Sequence, residues 1–519
     1  MMAVHVALAR FLEKAGLLAA LGRYPYWYLG STPFRYLTGP VLPGLLVGLH
    51  RVFPGFSLFE VFFGLVGAWW VLGGVGVYLL VGEIGRIGRG KDKTNRSYRT
   101  YMAAVAAMLY LFGPLAPAMF SFSNGLSIMS FSVVPWVLWA HVKSLRDWRQ
   151  INNILFCIMT TFLLLLDISV LPRLILGMAA VLLAVSGWKG IEKKVKKTLK
   201  LVTCSLLLVS WWYTPGYWWQ VLLAPSFAGR PLISVIGQIS QIMPIGLAIV
   251  LAFLSAKTIK LKQPAIKFVF YWLFIFGFLT FFRFISDWDF VLDWSAYYLE
   301  IQFGLGILGA LVVDRYLKSL QVKSQKLPAR NRYACPHRYA KHCRRAQSVA
   351  GGKIKSYSLK FKVFLFLVCV FGFLFSAFSF TFKKYVLSNL QKDIKTSAEH
   401  RIGEKLAETA GPDDIVFLSG STAFWTNAFF DIRQVRGGND KAAVHPEWDK
   451  AAWEIREGED VDKSLKRLKE FKIKYLVVHT KDSSEYYHDF KHPERFEGVK
   501  DLEKVYDERG DRIYKISNF

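Results

Sequence analysis

Carboxylates and arginines standing inside or beside long apolar runs are costly to keep there, so chemistry is sought at them first. Asp167 lies in TFLLLLDISVLPR and Glu300 in WSAYYLEIQFG, while Asp287, Asp289 and Asp293 crowd one acidic link between apolar runs. Arg35, Arg173, Arg230 and Arg283 are isolated cations near the same side. A guanidinium grips phosphate through forked hydrogen bonds, and a carboxylate can take the proton of an attacking hydroxyl. Together these groups suit an anionic, hydroxyl-rich substrate. Each also has a plainer reading. Asp167 could pair with Arg173 or cap a helix, the acidic link could be a solvated loop, and His5, a candidate site residue, could simply face water. Trp211, Trp212, Trp218 and Trp219 read more simply as an interfacial belt than as a sugar platform.

The elements that must position these residues are membrane spans. Of 519 residues, 53% are hydrophobic and 20% charged, too apolar for a soluble chain of this size. Apolar runs near 57–82, 101–121, 127–143, 151–171, 174–188, 201–222, 236–255, 268–283, 297–315 and 361–382 predict a polytopic α-helical membrane protein of about ten spans. The net charge of +28 sits in alternate links. Arg86–Arg99, Lys143–Arg149, Lys189–Lys200, Lys257–Lys267 and Arg315–Lys362 are basic, whereas the links between them carry few cations. That alternation assigns the basic links to the cytoplasm and argues against nucleic acid as a partner. It also puts both chain ends outside. An external N-terminus with no preceding span calls for one further span upstream of Met1; the alternative is a short translocated tail.

The organisation expected is therefore an external segment 1–56, a multi-span core 57–315, a basic cytoplasmic loop 316–360, a last transmembrane helix 361–382 and an extracytoplasmic soluble α/β domain 383–519. Residues 1–22 read as an amphipathic helix with Val4, Ala7, Leu8, Phe11 and Leu12 on one stripe. Tyr24–Pro43, YPYWYLGSTPFRYLTGPVLP, is too irregular to span and too aromatic to be a plain linker, so it belongs at the boundary or over a cavity, in a re-entrant manner. In the C-terminal domain, strands are expected at Ile415–Leu418, Lys474–His479, Glu503–Tyr506 and Arg512–Ile516, with helices between and a turn at Gly437-Gly438. Cys335 and Cys343 flank two histidines as CPHRYAKHC, a spacing that matches no usual zinc pattern. No phosphate-cradling GxxxxGK[ST], GxSxG, HExxH or dinucleotide fingerprint is present.

The arrangement resembles the GT-C superfamily of membrane glycosyltransferases. It is similar in particular to prokaryotic, largely archaeal, membrane proteins labelled as related to 6-pyruvoyl-tetrahydropterin synthase. The aromatic stretch looks like their first external loop; FSFSNGLSIMSF (120–131), APSFAGRPL (224–232), LDWSAYYLEIQ (292–302), QVRGGND and YLVVH (475–479) look like later blocks. The resemblance implies transfer of a sugar from a polyprenyl-phosphate donor to an extracytoplasmic lipid, glycan or protein acceptor, in the plasma membrane. Asp287, Asp293 or Asp167 would supply the base. His5, Trp27, Arg35, Tyr36, Arg173, Arg230, Arg283 and Glu300 would line the substrate site, with Arg35 and its neighbouring rings one wall for the donor phosphate. No cofactor is obligatory, because the leaving group is already a phosphate ester; a divalent metal is compatible. The superfamily usually carries an essential carboxylate in its first external loop, whereas here Glu13 is the one acidic residue before Pro43. A flippase for lipid-linked glycans, or a non-catalytic envelope scaffold, is the alternative.

Overall fold

A computed structural model describes residues 2–31, 39–87, 95–115, 117, 119, 125–147, 149–185, 190–223, 233, 239–258, 261, 263–286, 297–326, 376–384, 394–437 and 447–517. Helices α1 (Met2–Ala15) and α2 (Val41–Val52) precede the long α3 (Leu58–Ile87). There follow α4 (Asn95–Leu111), α5 (Gly125–Arg146), α6 (Gln150–Leu166), α7 (Leu171–Val185), α8 (Ile191–Val209), α9 (Pro215–Leu223), α10 (Ile239–Thr258), α11 (Pro264–Ser286) and α12 (Tyr298–Lys326). Among the described residues, four helical segments are long and apolar enough to cross a bilayer: Leu58–Ile87, Gly125–Arg146, Ile168–Val185 and Pro264–Ile285. The run expected as one span at 201–222 is instead two helices. The chain bends at 210–214, where Pro215 cannot supply the N–H that a continuous helix needs. Most of 361–382 lies outside the described residues, as does CPHRYAKHC.

Local chemistry explains the helix ends. Ser57 and Glu60 cap α3 reciprocally: Ser57 N–H and Oγ donate to Glu60 Oε2 at 2.7 and 2.8 Å, and Glu60 N–H donates back to Ser57 Oγ at 3.3 Å. At the other end the buried Glu83 pairs with Arg86 at 2.9 Å and with Arg146 of α5, tying the two helices where the basic links begin. Exposed Ile151, Ile154 and Ile158 form a helical stripe on α6, as a lipid-facing surface requires. Trp211 and Trp219 are exposed, whereas Trp212 is buried, so only part of the tryptophan cluster can serve as a belt.

Helix α12 is locked to the end of α4 by one amide. Gln302 Nε2 donates to Tyr110 O at 2.8 Å, and its Oε1 accepts from Leu115 N–H at 2.8 Å. Replacing Gln302 with Leu deprives Leu115 N–H of its acceptor in an apolar setting, at a cost of about 1–3 kcal/mol. Denaturation of the detergent-solubilised protein should show that loss, and Gln302→Glu, which still accepts, should recover part of it.

The C-terminal part holds α13 (Ala398–Thr409), β1 (Ile415–Phe417), α14 (Gly420–Phe429), β2 (Arg433–Gln434), α15 (Trp448–Glu457), α16 (Val461–Glu470), β3 (Ile473–His479), β4 (Leu502–Glu508) and β5 (Asp511–Ile516). The sheet order is β2-β1-β3-β5-β4, parallel across β2, β1 and β3 and antiparallel beyond. Strand β2 runs into the first residue of the QVRGGND block, Gln434, a block the sequence marked only by its turn.

The N-terminal segment packs into this sheet region rather than lying apart from it. Helix α1 is sandwiched between α14 on one side and α2 and α3 on the other. Its residues Met2–Ala9 are therefore buried all round, and the expected single apolar stripe is too narrow a description. Arg10 and Lys14 both pair with Asp431, at 3.2 and 2.5 Å. The aromatic stretch continues the docking. Gln434 N–H donates to Tyr26 O at 3.0 Å, Leu29 N–H donates to Gln434 O at 3.4 Å, and Trp27 Nε1 donates to Asn427 Oδ1 at 2.9 Å. Gly437 has φ +122°, and a Cβ there would stand 2.5 Å from Trp27 Cδ1. The glycine of the QVRGG block thus serves both a backbone conformation and an indole.

Candidate functional site

Two helix N-termini meet around an ion pair in the membrane core. Arg173 is in the first turn of α7 and Glu300 in the first turn of α12, with a guanidinium nitrogen 3.6 Å from the carboxylate. Glu300 is 1% exposed. A carboxylate suits a helix N-terminus, whereas an arginine opposes that dipole, so Glu300 compensates a cation held in an unfavourable place. At 3.6 Å the contact is an ion pair longer than a hydrogen bond. The backbone of Glu300 is fixed from α11: Trp272 Nε1 donates to Glu300 O at 2.7 Å, and Phe276 packs on Tyr297 with ring centroids 5.1 Å apart. Helix α11 runs ten residues beyond Phe276 to Ser286. Phe284, near that helix end, meets Tyr298 with ring centroids 6.5 Å apart, so the first turn of α12 is held along the last turns of α11.

Asp167 stands six residues before Arg173, at the junction of α6 and α7. Its Oδ1 accepts from Ser169 N–H at 3.0 Å and from Ser169 Oγ at 2.6 Å, capping the short turn Ile168–Val170. Its Oδ2 is buried and has no hydrogen-bond partner among the described residues. Capping thus engages one oxygen and leaves the other. Tyr213 and Tyr217 lie within electrostatic reach of Asp167, and the Tyr213 hydroxyl donates to Leu164 O at 3.1 Å. The tail of the aromatic stretch arrives here as well: a Cβ on Gly39 would collide with the Leu165 carbonyl, and Tyr213 Oη would be 3.0 Å away. One continuous segment therefore touches the sheet region at Trp27 and the Asp167 neighbourhood at Gly39.

Of the residues singled out from sequence, Arg173 and Glu300 are brought together, and Asp167 caps its turn instead of pairing with Arg173. Arg283 is half-buried in the last turn of α11. Trp27 is fully buried, with its indole engaged by Asn427. Arg35, Tyr36, Arg230, Asp287, Asp289 and Asp293 lie outside the described residues. Among the described residues no group of three or more His, Cys, Asp or Glu is placed to hold a metal ion. Gln302, Trp272 and Tyr213 fix the backbone around Glu300 and Asp167 and were not singled out by sequence. The signal for Gln302 was available: a polar side chain two residues after Glu300 in an apolar helix.

His5 does not face water; it is 3% exposed in α1, and its Nδ1 has no hydrogen-bond partner among the described residues. Burial pushes its pKa down to about 3. Because the folded value lies below the unfolded one, the neutral ring stabilises the docked state fully above about pH 6.5, and that contribution is lost as the pH falls towards 3. Between pH 7 and 5 the loss is about 2 kcal/mol. Limited proteolysis within 22–31 should accelerate over that range, and His5→Phe should flatten the dependence.

The polar residues of the sheet region close on one another. His479 Nδ1 is 2.8 Å from Asp511 Oδ1, which also accepts from Ser483 Oγ at 2.5 Å. Asp489 accepts from Ser419 Oγ and Gly420 N–H at the start of α14 and pairs with Arg436 and Arg456. Burial pushes the Asp489 pKa up, but the Ser419 hydroxyl and the two guanidinium groups more than offset it, leaving a net value below the ordinary carboxylate range.

No family model and no curated protein matches this chain. Among solved structures, apo ArnT from Cupriavidus metallidurans aligns over 99% of this chain and 92% of its own, with TM-score 0.51 and 14% identity. A second crystal structure of that protein, bound to undecaprenyl phosphate, aligns over 99% and 93% with TM-score 0.45 and 12% identity. The likeness to apo ArnT is one of fold.

Proposed function

We propose that this chain is a membrane glycosyltransferase of the GT-C type that moves a sugar from a polyprenyl-phosphate donor to an extracytoplasmic acceptor. The ArnT-like fold and the GT-C-like sequence blocks support the class. The observation that carries the chemistry is the buried, half-engaged Asp167 carboxylate six residues before Arg173, which pairs with Glu300 where two helices begin. Helix N-termini and a guanidinium together favour a phosphate.

In this reading the acceptor hydroxyl gives its proton to Asp167 as its oxygen attacks the anomeric carbon. The new C–O bond forms on the face opposite the leaving group, so the configuration inverts. The bond between the anomeric carbon and the donor phosphate oxygen breaks, and the electron pair departs with the polyprenyl phosphate. Arg173, oriented by Glu300, holds that phosphate, with Arg35, Arg230 and Arg283 as further candidates. Asp287 and Asp293 are the other candidate bases. The leaving group requires no metal, and a divalent ion remains compatible. The sheet region would position the acceptor.

The experiment is to reconstitute the full chain in liposomes and supply labelled polyprenyl-phosphate sugars with lipid, glycan and protein acceptors, with and without a chelator. Transfer in any combination supports the reading. No transfer to any acceptor, with lipid-linked glycan moved across the bilayer instead, would make the chain a flippase.

A further inference from the structure

An open groove of about 690 Å³ lies between α11 and α12, and neither Arg173 nor Glu300 lines it. Its walls are apolar, formed by Phe270, Leu273 and Phe274 of α11 and Leu308, Leu311 and Val312 of α12. Leu308 and Val312 are 39% and 59% exposed, so the groove opens outward from the helix pair. One end alone is polar, lined by Gln263, Asp314 and Arg315. The volume is in the range of small-molecule sites, which run about 300–1,000 Å³. An apolar trough with a polar head end has the shape of a single-headed amphiphile.

Three observations select the occupant. From Gln263 to Phe274 the wall rises about 16 Å, roughly half of the ~30 Å hydrocarbon core, so the groove has the depth of one leaflet. Its polar end adjoins the basic link Lys257–Lys267 and the start of the basic loop after Arg315, the side that the charge alternation assigns to the cytoplasm. At that mouth Arg315 is exposed whereas Asp314 is buried, so the accessible charge is the guanidinium. Arg315 is fifteen residues along α12 from Glu300, about 22 Å, which separates this site from a phosphate held at Arg173. We infer that the α11–α12 groove binds an anionic phospholipid of the cytoplasmic leaflet, with an acyl chain along Phe270, Leu273 and Leu308 and the headgroup phosphate at Arg315 and Gln263. The inference rests on the membrane reading and not on sugar transfer. Leu273 also packs against Gly304, one turn after Glu300, so a bound chain would set the spacing of the two helices that carry Trp272 and Glu300.

The test uses the full chain in nanodiscs doped with phosphatidylglycerol or phosphatidylcholine bearing a photoactivatable acyl chain, followed by peptide mapping. Phosphatidylglycerol should label 263–274 and 308–315 several-fold more than the exposed Ile151–Ile158 face of α6. Leu308→Trp should reduce the groove labelling to the α6 level, and the surface variant Arg315→Gln should remove the preference for phosphatidylglycerol while the protein stays monodisperse. Equal labelling of groove and α6 face would overturn the site, and equal labelling by the two lipids in the unmodified chain would overturn the headgroup assignment.

Discussion

Replacing Asp167 with asparagine is expected to lower sugar transfer by about 10²–10⁴-fold with little change in folding. The two effects separate because the two oxygens have separate partners. In Asp167→Asn the amide oxygen can still accept from the Ser169 N–H and hydroxyl, so the cap over Ile168–Val170 persists. What is lost is the charge and basicity of the oxygen without a partner among the described residues. Initial rates in proteoliposomes, read beside a denaturation curve, distinguish catalysis from collapse. Asp167→Ala should lose both rate and some stability, since removal of a cap costs about 1 kcal/mol. A rate for Asp167→Asn within a factor of two of the parent would transfer the role of base to Asp287 or Asp293.

Trp27→Ala should cost about 3–5 kcal/mol of docking between the N-terminal segment and the C-terminal sheet. The indole is completely buried and hydrogen-bonded across 400 residues of sequence to Asn427. The hydrogen-bond part is small, because Asn427 Oδ1 also accepts from Gln434 Nε2. The loss is chiefly packing, and it should appear as rapid proteolysis within 22–31 without unfolding of α3 or α5. Gly437→Ala tests the same contact from the other side: its methyl would press on Trp27, and its φ of +122° is strained for any other residue. The two substitutions should be far from additive, since Trp27→Ala removes the ring that the Gly437→Ala methyl would strike. Additive costs would show that Gly437 acts through its backbone alone.

The helical core was legible because apolar runs report burial and lipid contact directly. Runs near 57–82, 127–143 and 268–283 correspond to helices α3, α5 and α11, α3 lengthened at its C-terminal end and the other two at both ends. The added C-terminal turns of α3 and α5 carry the Glu83, Arg86 and Arg146 ion pairs already described. Hydropathy could not show the break between α8 and α9, which depends on Pro215. Strands β1, β3, β4 and β5 were readable from short apolar runs between helical patterns, whereas two-residue β2 is defined by its partners. In the site, Glu300 and Arg173 stood out as charges in apolar surroundings, but their pairing was not readable, because α7 and α12 are distant in sequence. The burial of Trp27 and His5 was hidden for the same reason: both lie in a segment that packs against residues beyond 419, and no local pattern encodes that.

The contact between Trp27 and Asn427 also has a meaning in time. A ribosome adds about 5–20 residues each second, so the two partners are separated by roughly 20–80 s of synthesis. Throughout that interval the apolar face of α1 and the Tyr24–Trp27 rings exist without the surface they finally cover. An unpaired aromatic segment at a membrane boundary is what insertion factors and holding chaperones bind. Slowing elongation near the 3′ end of the message should therefore lengthen the exposure and lower the yield of folded protein. Trp27→Ala should blunt that sensitivity even as it weakens the finished molecule.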